Sequence, residues 1–347
     1  MGELAPAQGD RLCFARHCKS LQACVVLVAL VAVLAGACPR TFAALANPCG
    51  LSATSLALLF VLKCVLLALL DKLVASLVYG HARPLPFRAA HPNVKGLVML
   101  EWIDYMYLAI NSWVEFVFAM QLCCFVAGAA PAPGIAWRIA DVGWLNTAPA
   151  LWLLFAVDDA LYAPCHRLMH WKLFYPYVHK HHHRQTLPRR GYLDAGNEHP
   201  AEQLIGLGAL WLTLHIVART AGLHVGTIVV HFLCYATLAV LNHTDRDVHF
   251  GLLGFDYSVG THEMHHRHPN CNMAVVHCSI LKFIFNLILR RESPGRSLLR
   301  IALCASTGHS TSWPGTSSWA RIGRTLTGAE GTARHCQAIY RSWMTVG

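Results

Sequence analysis

The chain has 347 residues, 55% of them apolar and only 13% charged, against ~25% charged in ordinary soluble domains. That balance excludes a disordered protein, and several apolar stretches approach the ~18–20 residues that span a bilayer, so the chain reads as a polytopic membrane protein. The net charge is 28 − 18 = +10, but residues 290–347 hold eight arginines against Glu292 and Glu330 and carry six of the ten excess charges. No basic surface with stacking or base-reading groups is visible, which sets nucleic-acid binding aside.

In chain order, the first apolar run is 21–38, behind Arg11, Arg16 and Lys19. It is longer than a signal-peptide core and more spans follow, so it reads as an uncleaved anchor. A second run covers 51–70, broken only by Lys63, before the basic segment 71–96. Residues 97–130 carry Glu101, Asp104 and Glu115 and read as an amphipathic stretch leading into a span near 113–130, ended by Pro131-Ala132-Pro133-Gly134. A fourth span is expected at about 145–163, and two apolar arms, 203–220 and 224–241, flank Gly222. Basic residues concentrate at the N-terminus, in 71–96 and in 164–202, which places these on the cytosolic side by the positive-inside rule.

The fourteen cysteines contain no C-x-x-C, and most lie in or beside apolar runs, as reduced apolar fillers do. Histidine is the unusual residue, because 17 of 22 fall between His166 and His277. Three clusters stand out: His166-Arg-Leu-Met-His170, His179-Lys-His181-His182-His183 and His262-Glu-Met-His265-His266. Their i, i+3 and i+4 spacings each fit one helical face. With His181 read as solvent-facing, the clusters give eight imidazoles, and His243 beside the last arm makes a ninth.

Nine nitrogens exceed what one ion holds, and a structural or hydrolytic zinc takes about four ligands, so two metal ions are expected. Imidazole suits iron, copper and zinc alike. The carboxylates Asp158 and Asp159 end the fourth apolar run, and Asp159, seven residues before His166, is placed to orient a ligand histidine through its distal nitrogen. His199, in Glu198-His199-Pro200-Ala201-Glu202, is a further ligand or outer partner. His215 and His231 read as hydrogen-bonded core residues.

At these residues the sequence resembles the fatty acid hydroxylase/sterol desaturase superfamily, in motif nearest to methylsterol monooxygenases and sterol hydroxylases. The resemblance runs from Asp158 to about Ala274 and rests on HRLMH at 166–170, FYPYVHKHHH at 174–183, EHPAE at 198–202, NHT at 242–244 and THEMHHRHPNCN at 261–272. It implies a multi-pass endoplasmic-reticulum enzyme with two irons held by His166, His170, His179, His182, His183, His243, His262, His265 and His266. It also implies dioxygen as co-substrate, with a b-type cytochrome and an NAD(P)H-dependent reductase as electron donors. The implied reaction hydroxylates or desaturates a membrane lipid, such as a 4-methylsterol, with a fatty acyl lipid or sphingolipid as the alternative.

The chain departs from similar proteins at Thr261, where many have a further histidine, and after Asn272, where Leu281 stands at the position of an expected aspartate. A reading from another class is a membrane metal transporter with a histidine-rich cytosolic segment. The fold expected is all-α, a polytopic membrane bundle capped on its cytosolic side by a histidine-rich di-metal helical unit. The expected divisions are anchor spans over 1–144, a catalytic domain over 145–285 and a basic, poorly ordered tail over 286–347.

Overall fold

The computed structural model describes residues 6–90, 99–127, 134–252, 254–268 and 277–278. The expected tail, 286–347, lies outside the described residues. The chain runs through α1 (Pro6–Ala37), α2 (Pro39–Ala46), α3 (Ala53–His81), α4 (Pro86–Ala90) and α5 (Trp102–Ala127). A short strand β1 (Ile135–Ala136) precedes α6 (Ala148–Met169) and α7 (Tyr192–Ala195). There follow α8 (Pro200–Thr220), β2 (Leu223–His224), α9 (Val225–Asn242), β3 (His249–Leu252), β4 (Phe255–Ser258), α10 (Val259–Arg267) and β5 (His277–Cys278). The fold is helical as expected, with two small sheets added: β1 lies parallel to β2, and β3-β4-β5 is antiparallel.

Five described helices are long and apolar enough to cross a membrane: His17–Ala37 of α1, α3, α5, α8 and α9. The expected fourth span differs. Its residues form α6, which is absent from that set and instead runs on through His166 to Met169. Asp158 and Asp159 interrupt its apolar sequence, and aspartate in lipid is costly. The stretch expected to be amphipathic before residue 113 is the first half of one continuous helix, α5.

The bundle alternates direction, and its contacts define two ends. At one end, the α8–α9 turn meets the entry to α6: Leu223 N–H donates to Gly134 O at 2.7 Å, and His224 N–H to Asn146 O at 3.1 Å. Gly134 has φ +90, and a Cβ there would strike the Ala218 carbonyl, so only glycine fits this closure. Phe125, Ala150, Leu154, Leu214, Val217 and Leu223 form the core at that end. At the other end, α3, α9 and β4 close around Val74, Leu85, Val240 and Tyr257. The C-termini of α6 and α9, the start of α8 and all of α10 converge there, which is where the histidines lie.

Candidate metal centre

The nine histidines sort into two groups. His166, His170, His179, His183 and His265 form one, and His182, His243, His262 and His266 the other, with the donor atoms of each group within 4.8 Å of one another. The sorting follows from helical pitch. In each H-x-x-H-H box the i, i+4 pair joins one group and the i+3 histidine, about 100° round the helix from i+4, reaches the other: His179 and His183 join the first group while His182 joins the second, and His262 and His266 join the second while His265 joins the first. The box at 179–183 is not an α-helix as the spacing suggested; it is a turn tightening into a 3₁₀ segment, His182–Arg184. The bonds from Arg184 N–H to His181 O at 3.2 Å and from Gln185 N–H to His182 O at 3.4 Å close that tighter winding, while the one from His183 N–H to His179 O at 3.4 Å keeps i and i+4 together.

Within the first group, Nε2 of His179 lies 3.0 Å from Nε2 of His166 and 3.0 Å from that of His183, and His265 Nε2 lies 3.1 Å from His166 Nε2. In the second group, Nε2 of His262 lies 3.3 Å from that of His243 and 3.0 Å from that of His266. A first-row metal with ~2.0–2.1 Å bonds to nitrogen, at right-angle to tetrahedral openings, gives nitrogen separations of about 2.9–3.4 Å. The spacing therefore fits coordinated imidazoles.

Tautomers point the same way. His243 Nδ1–H donates to Ala239 O at 2.9 Å, so in the neutral ring Nε2 is a bare acceptor facing His262. His179 Nδ1 lies 2.7 Å from the Glu202 carboxylate, on the side away from the other Nε2 atoms of the first group. Bare acceptors facing one another at 3 Å repel unless a cation lies between them. Burial holds His179, His182, His183, His262 and His266 well below the ordinary histidine range, and His170 down to about 3, with neighbouring imidazoles adding to the effect. The rings stay neutral, as metal ligands must.

The shell around the groups was only partly legible. Glu202 is buried on the first turn of α8, and in the sequence only its position four residues after Glu198 marks it. Burial pushes Glu198 up to about 8. Asp159 is half-buried on α6, two turns before His166, and Asp158 beside it is buried.

His199 is a correction. Its Nδ1 accepts from Ala201 N–H at 3.1 Å, and its Nε2–H donates to Ser20 O at 3.2 Å. Both ring nitrogens are spent on capping α8 and anchoring α1, and neither joins a histidine group. His181 is also corrected: it is buried rather than solvent-facing, with Nε2 2.9 Å from Asp104 Oδ1 and 3.0 Å from Asn197 Oδ1. His215 Nδ1–H donates to Trp211 O at 3.0 Å, as a core histidine does. His231 is buried against Phe155, and neither of its ring nitrogens makes a hydrogen bond among the described residues.

A second ring of charge fixes the boxes to the bundle. Arg88 Nε donates to Glu263 at 2.7 Å, within the last box, while its Nη2 donates to Pro188 O at 2.6 Å. Gly191 N–H donates to the carbonyl of His243 at 3.0 Å, and Tyr192 N–H to Asp71 Oδ1 at 2.9 Å. These contacts tie α3, the 185–192 loop and α9 to the second group.

Residues 151–286 match the family model for fatty acid hydroxylase. A C-4 methylsterol oxidase of Candida albicans is 31% identical over 104 residues, covering 30% of this chain and 33% of that protein. A C-4 methylsterol oxidase of Schizosaccharomyces pombe is 33% identical over 104 residues, covering 30% of this chain and 34% of that protein. The matched part of the chain thus spans about a third of the length of these curated relatives. No solved structure matches. The two histidine groups lie inside the matched segment, and over residues 151–286 the chain carries a fatty acid hydroxylase domain.

Proposed function

We propose that this protein is a membrane-bound non-haem di-iron oxygenase that hydroxylates or desaturates a lipid. One observation carries the reading: nine imidazoles, seven buried and two half-buried, within a fatty acid hydroxylase segment, separate into groups of five and four with metal-like nitrogen spacing. Iron bound in both sites would supply the redox chemistry for dioxygen reduction and hydrogen abstraction from an unactivated C–H bond. The chain's own residues hold the sites. His166, His170, His179, His183 and His265 would bind one ion, and His182, His243, His262 and His266 the other.

Nitrogen ligands without thiolates suit a centre exposed to oxidants, and the burial of the groups limits water around it. The similarity to C-4 methylsterol oxidases makes a sterol, such as a 4-methylsterol, the first substrate class to test, with a fatty acyl lipid or sphingolipid next. Electrons would come from a b-type cytochrome and an NAD(P)H-dependent reductase. The family resemblance implies an endoplasmic-reticulum protein, and the charge bias of its loops favours a histidine end that faces the cytosol.

The test is metal content of the detergent-purified protein from iron-supplemented cells, beside His265→Ala and His182→Ala. About two irons per chain, with loss in both variants, supports the reading. Failure to acquire a paired iron signature even after anaerobic reconstitution overturns it.

A further inference from the structure

Glu198 and Glu202 stand four residues apart across the start of α8, with the His199 cap and Pro200 between them fixing where that helix begins. Glu198 lies before the helix, and its carboxyl turns back to meet Glu202 on the first turn. Glu202 is 2% exposed, and its Oε1 lies 2.7 Å from Nδ1 of His179, a member of the five-histidine group. The two glutamates share a side-chain hydrogen bond. Their donor atoms and that of His182, a member of the four-histidine group, all lie within 4.8 Å of one another. The Asn197 carbonyl also reaches His182. One pair of carboxyls therefore borders a ligand of each group.

We propose that the Glu198–Glu202 pair is an outer-sphere bridge between the two metal sites, holding His179 on one side and His182 on the other, so that filling one site organises the other. The inference rests on the di-metal reading above. A carboxylate accepting the distal N–H of a ligand histidine fixes its tautomer and raises its basicity. Binding at one site immobilises the hydrogen-bonded pair, and the second ligand is then already oriented. Glu202 and Glu198 are positioning residues in this scheme, acting through the imidazoles rather than on substrate.

The experiment is anaerobic titration of the full-length apoprotein in detergent with Co²⁺, reading visible absorption and bound metal per chain. Wild type is expected to take two equivalents in one steep transition. Glu202→Gln should bind about 10–100-fold more weakly and load in two separate steps. Glu198→Gln leaves the His179 contact in place but should also split the transition. Thermal unfolding of the apoproteins checks folding, and Glu198→Gln carries the test should Glu202→Gln fail to fold. Wild-type-like loading in both variants overturns the bridge. So does a third equivalent bound by wild type and lost in both variants, since the pair would then be a ligand set of its own. Fewer than two equivalents in wild type would instead remove the di-metal reading beneath it.

Discussion

Nη1 of Arg184 donates to Oδ1 of Asp104 at 2.8 Å across 80 residues of sequence, clamping the end of the second histidine box to the first turn of α5. Asp104 is fully buried and also faces His181 at 2.9 Å, while Arg184 Nη2 reaches Glu101 at 2.9 Å. Removing one partner of such a buried pair leaves an uncompensated charge, at a cost of ~3–5 kcal/mol. Asp104→Ala is therefore expected to lower thermal stability strongly and to reduce retained metal, although Asp104 belongs to neither histidine group. Unfolding of the variant at the wild-type temperature would show that the clamp contributes nothing.

His199 sets a pH dependence. Burial, partly opposed by its bond to the Ser20 carbonyl, lowers it to about 4. The unfolded chain binds this proton near pH 6.5 and the folded chain does not, so the contribution to stability is complete above that pH and is lost as pH falls toward 4. Protonation of Nδ1 would remove the acceptor that caps Ala201. The loss from this group is at most ~3 kcal/mol over that window. His199→Asn keeps a capping oxygen without a titrating ring, so the melting temperature of its apoprotein should fall less steeply between pH 6.5 and 4 than that of wild type. Parallel pH profiles would refute the assignment.

Gly191 adopts φ +56 and ψ −122, and a Cβ there would run into the Asp71 carboxylate that receives Tyr192 N–H. Gly191→Ala should cost ~1–3 kcal/mol from backbone strain, plus displacement of Asp71. Because Gly191 N–H holds the carbonyl of His243, the variant should also bind metal more weakly at the four-histidine group. Calorimetry and metal titration of the variant measure both effects, and unchanged values would sink the argument.

Asn242-His243-Thr244 is a formal glycosylation acceptor, yet Asn242 is 2% exposed and Thr244 3%. Thr244 Oγ1–H donates to Leu241 O at 2.9 Å. No glycan is expected at this site on either side of a membrane, so glycosidase treatment should leave the mass of wild type and of Asn242→Gln unchanged. A glycosidase-sensitive mass lost in Asn242→Gln would mean that the end of α9 is not packed as described.

The sequence alone determined what depends on composition and short-range spacing. Apolar length marked the spans of α1, α3, α8 and α9, and i, i+3 and i+4 spacing marked the histidine boxes, because both follow from the fixed rise and pitch of a helix. The number of imidazoles was enough to expect two ions. It was not enough to divide them. Which histidine joins the group of five and which the group of four is decided by how α6, α9, α10 and the 179–183 turn meet, and these are separated by up to 99 positions, as His166 and His265 are.

The same limit explains the misread residues. His199 and His181 have the same local chemistry as the ligands, and only packing against Ser20, Asp104 and Asn197 gives them other partners. Glu202 was one carboxylate among eighteen acidic residues until the fold brought it to His179. Spacing along a chain constrains direction within one element; the identity of a neighbour across the bundle is a property of burial, where each polar atom must find a partner.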